Sequence, residues 1–159
     1  MSNWYKMERY YPYKKAKLVV VGISVVLLLF SFTQPAFYIA REDHEWSGVG
    51  AFFFGLFGPL LCTSGVSWLA NPALVFAWVK LRKTPKVSVV ASFVALPIAG
   101  FFATCHTVMV NEAGGMAGIT GLEPGYYLWI ASISAWFVGS VVIYVLEQRQ
   151  LGKLQKVKE

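Results

Sequence analysis

The chain has 159 residues, of which 57% are hydrophobic and only 14% charged, with a net charge of +6. Soluble domains run near 45–50% apolar and about 25% charged. The imbalance excludes a soluble globular domain, a disordered tail and a basic nucleic-acid module, and marks an integral membrane protein.

Charges cluster at 1–17, 41–45, 80–86, 112–123 and 147–159. Between them lie uncharged intervals of 23 residues (18–40), 34 (46–79), 25 (87–111) and 23 (124–146). A helix crossing about 30 Å of hydrocarbon needs about 20 apolar residues. Each interval holds one crossing, and none comfortably holds two with a turn. A closed β-barrel needs alternating segments of about ten residues, whereas LVVVGISVVLLLFSF (18–32) is apolar all round. The expected architecture is an all-α bundle of four transmembrane helices in a single membrane domain, 1–159. Its spans are about 18–38, 50–79 with a break near 71, 87–110 and 125–146.

Taken in chain order, Trp4, Tyr5, Tyr10, Tyr11 and Tyr13 interleave with lysines ahead of the first span. Amphipathic rings beside basic side chains suit the headgroup level. The first span ends at Gln34-Pro35, since proline cannot continue a helix. It reads as a retained span, because no small-x-small pair marks a cleavage point near Ala36 or Ala40. No lipidation motif is present.

The second interval is too long for a single crossing: 34 residues would make about 50 Å of helix. Gly55, Gly58, Pro59 and Gly65 soften it, and Asn71-Pro72 interrupts it. One solution is a long, tilted, kinked helix. The other is a span near 50–70 followed by a short interfacial helix, 72–82, with Asn71 as N-cap and Trp78 as an aromatic anchor. The long helix with a break near 71 is favoured, and Asn71 is expected as a cap more than as a polar group in a cavity.

The third span carries Pro97, expected to kink it near Phe93. It also has Ala91, Ala95, Ala99 and Ala103 at i+4 spacing. The fourth has Ala131, Ala135 and Gly139 at the same spacing. Small residues on one face let helix backbones approach closely, so both stripes are expected inside the bundle. The connection 111–125 holds five glycines and is expected to be an extracytoplasmic loop.

Thirteen of the fourteen Lys and Arg fall on one side of a four-pass topology. By the positive-inside rule both termini and the 80–86 loop are expected in the cytoplasm. The basic balance is thus a topology signal and implies no nucleic-acid partner.

Chemistry is sparse. No Asp, Glu, Lys or Arg falls inside an expected span, and ion or proton pathways usually need such residues. His106 lacks the second histidine that a four-helix heme site usually needs. A metal site of Glu42, His44, His106 and Glu112 is conceivable on the outer face, but solvated histidines explain the pattern better. Cys62 and Cys105 stand outside any C-x-x-C and read as small buried hydrophobes. No triad, carboxylate pair, phosphate loop or zinc spacing appears. The expectation is therefore no enzyme, no cofactor and no metal. The candidate interaction or packing residues are Trp68, Asn71, Ala95, Ala99, His106, Asn111, Glu112, Trp129, Ala131, Ala135 and Gly139.

The segments WLANP (68–72), NEAGG (111–115) and EPGYYLWIAS (123–132) resemble a group of small four-pass bacterial inner-membrane proteins. Those carry W-x-A-N-P after the second span and G-Y-Y-L-W-x-A-S opening the fourth. The likeness covers about 18–146 and implies a topology, an inner-membrane location and no mechanism. Tyr126, Tyr127 and Trp129 would form the outer aromatic belt.

Three functions are compatible with these features. The first is a non-catalytic protein that acts by protein–protein interaction or self-association within the lipid bilayer. One version of it is an immunity protein against a membrane-targeting toxin. The second is an accessory subunit of a transporter or secretion complex. The third is a small oligomeric channel or carrier lined by Ser, Thr and Asn.

Overall fold

A computed structural model describes residues 13–40, 44–111 and 113–156. The aromatic-basic stretch before Tyr13 lies outside these residues, as do Glu42 and Glu112. The helices are α1 (Lys14–Thr33), α2 (Gly48–Gly55), α3 (Gly58–Leu61), α4 (Ala70–Leu81), α5 (Pro85–Phe101) and α6 (Pro124–Lys156). The strands are β1 (Pro35–Ile39), β2 (His44–Ser47), β3 (Thr107–Met109) and β4 (Met116–Leu122). Two 3₁₀ segments, Ser64–Leu69 and Phe102–Thr104, lead into α4 and out of α5.

Among the described residues three helical stretches are long and apolar enough to cross a membrane: Lys14–Thr33, Pro85–Thr104 and Pro124–Lys153. The expectation of a pure four-helix bundle is corrected in two respects. The chain contains a four-stranded antiparallel sheet in the order β2-β1-β4-β3. In addition, the second expected span is broken into pieces rather than continuous. The breaks fall at 56–57 and 62–63 rather than near 71.

The sheet consumes ends that had been assigned to spans and loops. Helix α1 stops at Thr33, and Gln34-Pro35 turns the chain into extended β1. The glycine-rich connection supplies β4, although glycine disfavours strands because it brings no side chain to pack. That deficit is filled from across the sheet: Gly121 pairs with Tyr38, whose ring lies 3.9 Å from the position of a Cβ there. Phe37, Ile39, Ala36 and Ala117 form the small core of this layer. Phe37 stacks on Trp46 at 5.7 Å and packs on Phe102 at 5.2 Å.

The larger core lies between α1, α4, α5 and α6. Leu74, Ala77, Leu81, Ala95, Ala99, Ile133, Trp136 and Ile143 are fully buried there. The helices approach closely because small residues line the contacts. Gly139 abuts α1, and a Cβ at this position would overlap both methyls of Val20. The stripe on α5 and the one on α6 thus face different neighbours at this point.

Serines satisfy one another and the backbone across this core, whereas Trp136 Nε1 is buried without a partner among the described residues. Ser24 donates to the Ser132 carbonyl at 3.1 Å, and Ser132 donates back to the Ser24 carbonyl at 2.8 Å. Ser88 donates to the Ala77 carbonyl at 2.8 Å, tying α5 to α4. Trp78 does not reach outward as an anchor: its Nε1 donates to Ser24 Oγ at 3.2 Å, and its ring meets Trp136 edge-on. At the end opposite the sheet, Lys17 and Glu147 form a largely buried ion pair at 2.6 Å. Lys14, Lys15, Arg82, Lys83, Lys86, Arg149 and Lys153 are exposed. They sit on the helix ends and the turn remote from the strands.

Candidate functional site

The broken second element exists to build a wall. Ser47 caps α2, its hydroxyl accepting from Gly50 N at 3.1 Å. Beyond the end of α2, Gly58 and Gly65 cross backbone to backbone, so closely that a Cβ on either would collide with the other. This crossing folds α2 and α3 back against the 3₁₀ segment. The interrupted backbone stays hydrogen-bonded: Cys62 N donates to Gly58 O, Gly65 N to Cys62 O and Val66 N to Thr63 O. Such satisfaction is required of any irregular backbone at membrane depth.

Between this wall, the inner face of the sheet, the sheet-end tips of α1 and α6 and the 3₁₀ segment that follows α5 lies a cleft of about 530 Å³. That volume falls within the range of small-molecule sites, about 300–1,000 Å³. Its surface is largely aromatic, with Phe32, Phe37, Trp46, Phe52, Trp68, Phe102, Tyr126 and Trp129 among the lining residues. Among the described residues no Asp, Glu, Lys, Arg or His lines it.

Polar side chains reach the cleft from α1 (Ser31), from the β3–β4 turn (Asn111) and, as a group, from one stripe on the wall. Ser64, Ser67 and Asn71 are all buried and all line it. Their spacing of three and then four residues puts them on one helical face. Asn71 accepts from Trp129 Nε1 at 2.8 Å, linking α4 to α6. Ser64 lies 3.4 Å from the Cys62 sulfur. Ser67 Oγ is buried with no hydrogen-bond partner among the described residues. Trp68 is held the other way, donating to the Phe52 carbonyl at 2.7 Å with its ring against Gly55.

The candidate residues read from the sequence separate into two groups. Trp68, Asn71, Asn111 and Trp129 meet at the cleft. Asn71 is not an N-cap: α4 runs on directly from the 3₁₀ segment with Leu69 before its first residue. Asn111 shapes the β3–β4 turn, its Oδ1 accepting from Gly115 N at 2.7 Å. The others lie elsewhere. Ala95 and Ala99 belong to the helical core, Ala131, Ala135 and Gly139 sit on α6 below the cleft, and His106 is exposed between α5 and β3. The position of Glu112 is outside the described residues. The belt expected of Tyr126, Tyr127 and Trp129 is divided, with Tyr126 buried and Tyr127 exposed.

The sequence reading missed Ser64, Ser67 and the aromatic wall of 46–57. The available signal was the 64-67-71 polar stripe in an otherwise uncharged interval. Among the described residues no three His, Cys, Asp or Glu side chains gather as a metal site. Cys62 and Cys105 are free. Burial, and then the neighbouring Cys62, push the Cys105 thiol above its ordinary pKa. The arrangement offers apolar enclosure with a few hydrogen bonds, and it brings no acid–base pair together. No protein-family model matches the chain, and neither does any curated protein or solved structure.

Proposed function

We propose that this chain is a non-catalytic integral membrane protein that works by binding, and that the sheet-end cleft is its binding site. The observation behind this reading is an aromatic-walled cavity with a few polar side chains and, among the described residues, no charged side chain in its lining. Enclosure of this kind selects apolar groups and orients them by hydrogen bonds, and it supplies no group suited to proton transfer.

In this reading the chain crosses a bacterial inner membrane four times. The 3₁₀ segment with α4 serves as the broken second crossing, since together they make about 30 Å of helical path. Both termini lie at the cytoplasmic face, following the collection of basic residues away from the sheet. The sheet and the cleft then sit at the outer leaflet. Reporter fusions at each terminus and in the 112–115 turn test the orientation.

The interaction-protein reading made from the sequence remains the parent of this one. Its narrower version, immunity against a membrane-targeting toxin, falls if deletion leaves sensitivity to neighbouring competitors unchanged. A channel is less well supported, because Trp136, Leu74 and Ile133 fill the middle of the bundle.

The direct test is site-specific photo-crosslinking in native membranes. A photoreactive residue at Trp46, on the cleft, is compared with one at Val138, on the exposed face of α6. The proposal expects one discrete adduct enriched at position 46. The same diffuse lipid labelling at both positions removes it.

A further inference from the structure

We propose that the cleft takes an uncharged membrane lipid, one whose apolar chain fills the aromatic cavity and whose carbonyl or hydroxyl oxygen is held by Ser67 and Asn71. The inference deepens the binding reading above and rests on it.

Three observations converge. First, the Ser67 hydroxyl is 2% exposed, lines the cleft and has no partner among the described residues. A buried hydroxyl left without a hydrogen bond is unfavourable, and natural structures rarely leave one so. Here it stands where an oxygen of a bound molecule would complete it. Second, Asn71 uses its oxygen on Trp129 and turns no bond from its amide nitrogen to any described residue. The two donors are four residues apart on one face. An acceptor with two lone pairs, such as an ester carbonyl or an alcohol, satisfies both.

Third, the lining sets the charge of the occupant. A phosphate or an ammonium placed here would lose its hydration with no opposite charge among the described lining residues to meet it, which is strongly unfavourable. The cavity therefore discriminates by head group more than by chain. The route of entry is also written on the surface. Phe53, Phe54, Phe57, Leu60 and Leu61 line or flank the cleft and are all exposed. In a bilayer that apolar flank faces acyl chains, so the occupant arrives from the membrane rather than from water.

The test uses the full-length protein in detergent micelles. Monooleoylglycerol is titrated as mole fraction and thermal unfolding is followed. The charged comparison is oleoyl lysophosphatidate, with the same chain. Three proteins are run: wild type, Ser67→Ala and Ser67→Thr. The expectation is a saturable rise in Tm with monooleoylglycerol and none with the phosphate-headed lipid. Ser67→Ala should shift half-saturation about three- to tenfold, the equivalent of one ordinary hydrogen bond. Ser67→Thr, which keeps the hydroxyl, should bind as wild type does.

The empty Ser67→Ala protein should unfold at or above the wild-type temperature, because an unpartnered hydroxyl has been removed. This outcome separates a binding role from a structural one. No saturable shift, an equal response to the phosphate-headed lipid, or unchanged affinity in Ser67→Ala each overturns the proposal. A discrete protein adduct from position 46 together with no monooleoylglycerol effect removes the lipid and leaves the binding reading standing. Diffuse labelling together with no effect removes both.

Discussion

Two regions of this molecule use the same small polar residue in opposite ways. In the helical region, Ser24, Ser88, Ser92, Ser132 and Ser140 are fully buried, and each is hydrogen-bonded within the protein. They act as spacers that let backbones close together and return their own hydrogen bonds. At the sheet end Ser67 is as deeply buried but has no partner among the described residues, beside a cavity of about 530 Å³. The lesson is that burial of a serine says little until its partner is known. A partnered serine belongs to the packing, and an orphan beside a void points to an occupant.

The most forceful way to break the helical region is at its charged end. Glu147→Gln should leave the buried Lys17 ammonium without its counter-charge and destabilise by on the order of 3 kcal/mol. Unfolding in mixed detergent–SDS micelles measures it. Exchanging the pair, Lys17→Glu with Glu147→Lys, should recover most of the loss. If the single change is neutral, the pair is solvated and the region is less tightly closed than the distances indicate.

The comparison itself is sharpened by the same substitution in both regions. Ser24→Ala leaves the Trp78 Nε1 donor without its acceptor and removes the extra bond to the Ser132 carbonyl, which keeps its helical partner, with an expected loss of about 2 kcal/mol. Ser67→Ala should fall within about 0.5 kcal/mol of wild type or be slightly stabilising. Equal losses at the two sites would erase the distinction.

A smaller effect is expected where the regions meet. Trp129→Phe keeps a ring in the cleft but removes the donor to Asn71, at a cost of about 1 kcal/mol. The same unfolding assay reads it. The smallest effect is chemical. Cys105, its thiol raised by burial and by Cys62, should alkylate more slowly at pH 8 than a free thiol. The gap should close as pH rises through the raised pKa, since the thiolate fraction of both then approaches one.

The helical region was legible in the sequence and the sheet end was not. Uncharged runs of more than twenty residues report a long helix directly, as at 18–40 and 124–146. The alanine stripe at 91, 95 and 99 reports a packed face for the same reason: one local period decides one local structure. Strand β1 is only five residues long, with a bulge in its pairing to β2. Its burial therefore does not alternate, and the period of two is lost. Strand β4 carries Gly118 and Gly121, the composition of a loop, and is a strand because β1 and β3 flank it. Non-local partners leave no local trace.

The candidate site shows the same divide. Trp68, Asn71 and Trp129 stood out as polar or aromatic groups in apolar text, and they do meet. Their third dimension was hidden because the cleft depends on the Gly58–Gly65 crossing, which folds 48–61 back. Two glycines seven residues apart read from sequence as softness. In the fold they are a contact.

The placement of α1 has a consequence for how the molecule is made. Val20 and Ser24 meet Gly139 and Ser132, Lys17 pairs with Glu147, and strand β1 pairs with β4. The first helix and the first strand thus find these partners only in the last third of the chain. At a synthesis rate of about 5–20 residues per second, α1 waits roughly 5–20 s for α6 to emerge. Throughout that interval Lys17 and Ser24 lie at the membrane without their final contacts. Closure of α1 therefore depends on a helix made about a hundred residues later, so its contacts are among the last of the fold to form.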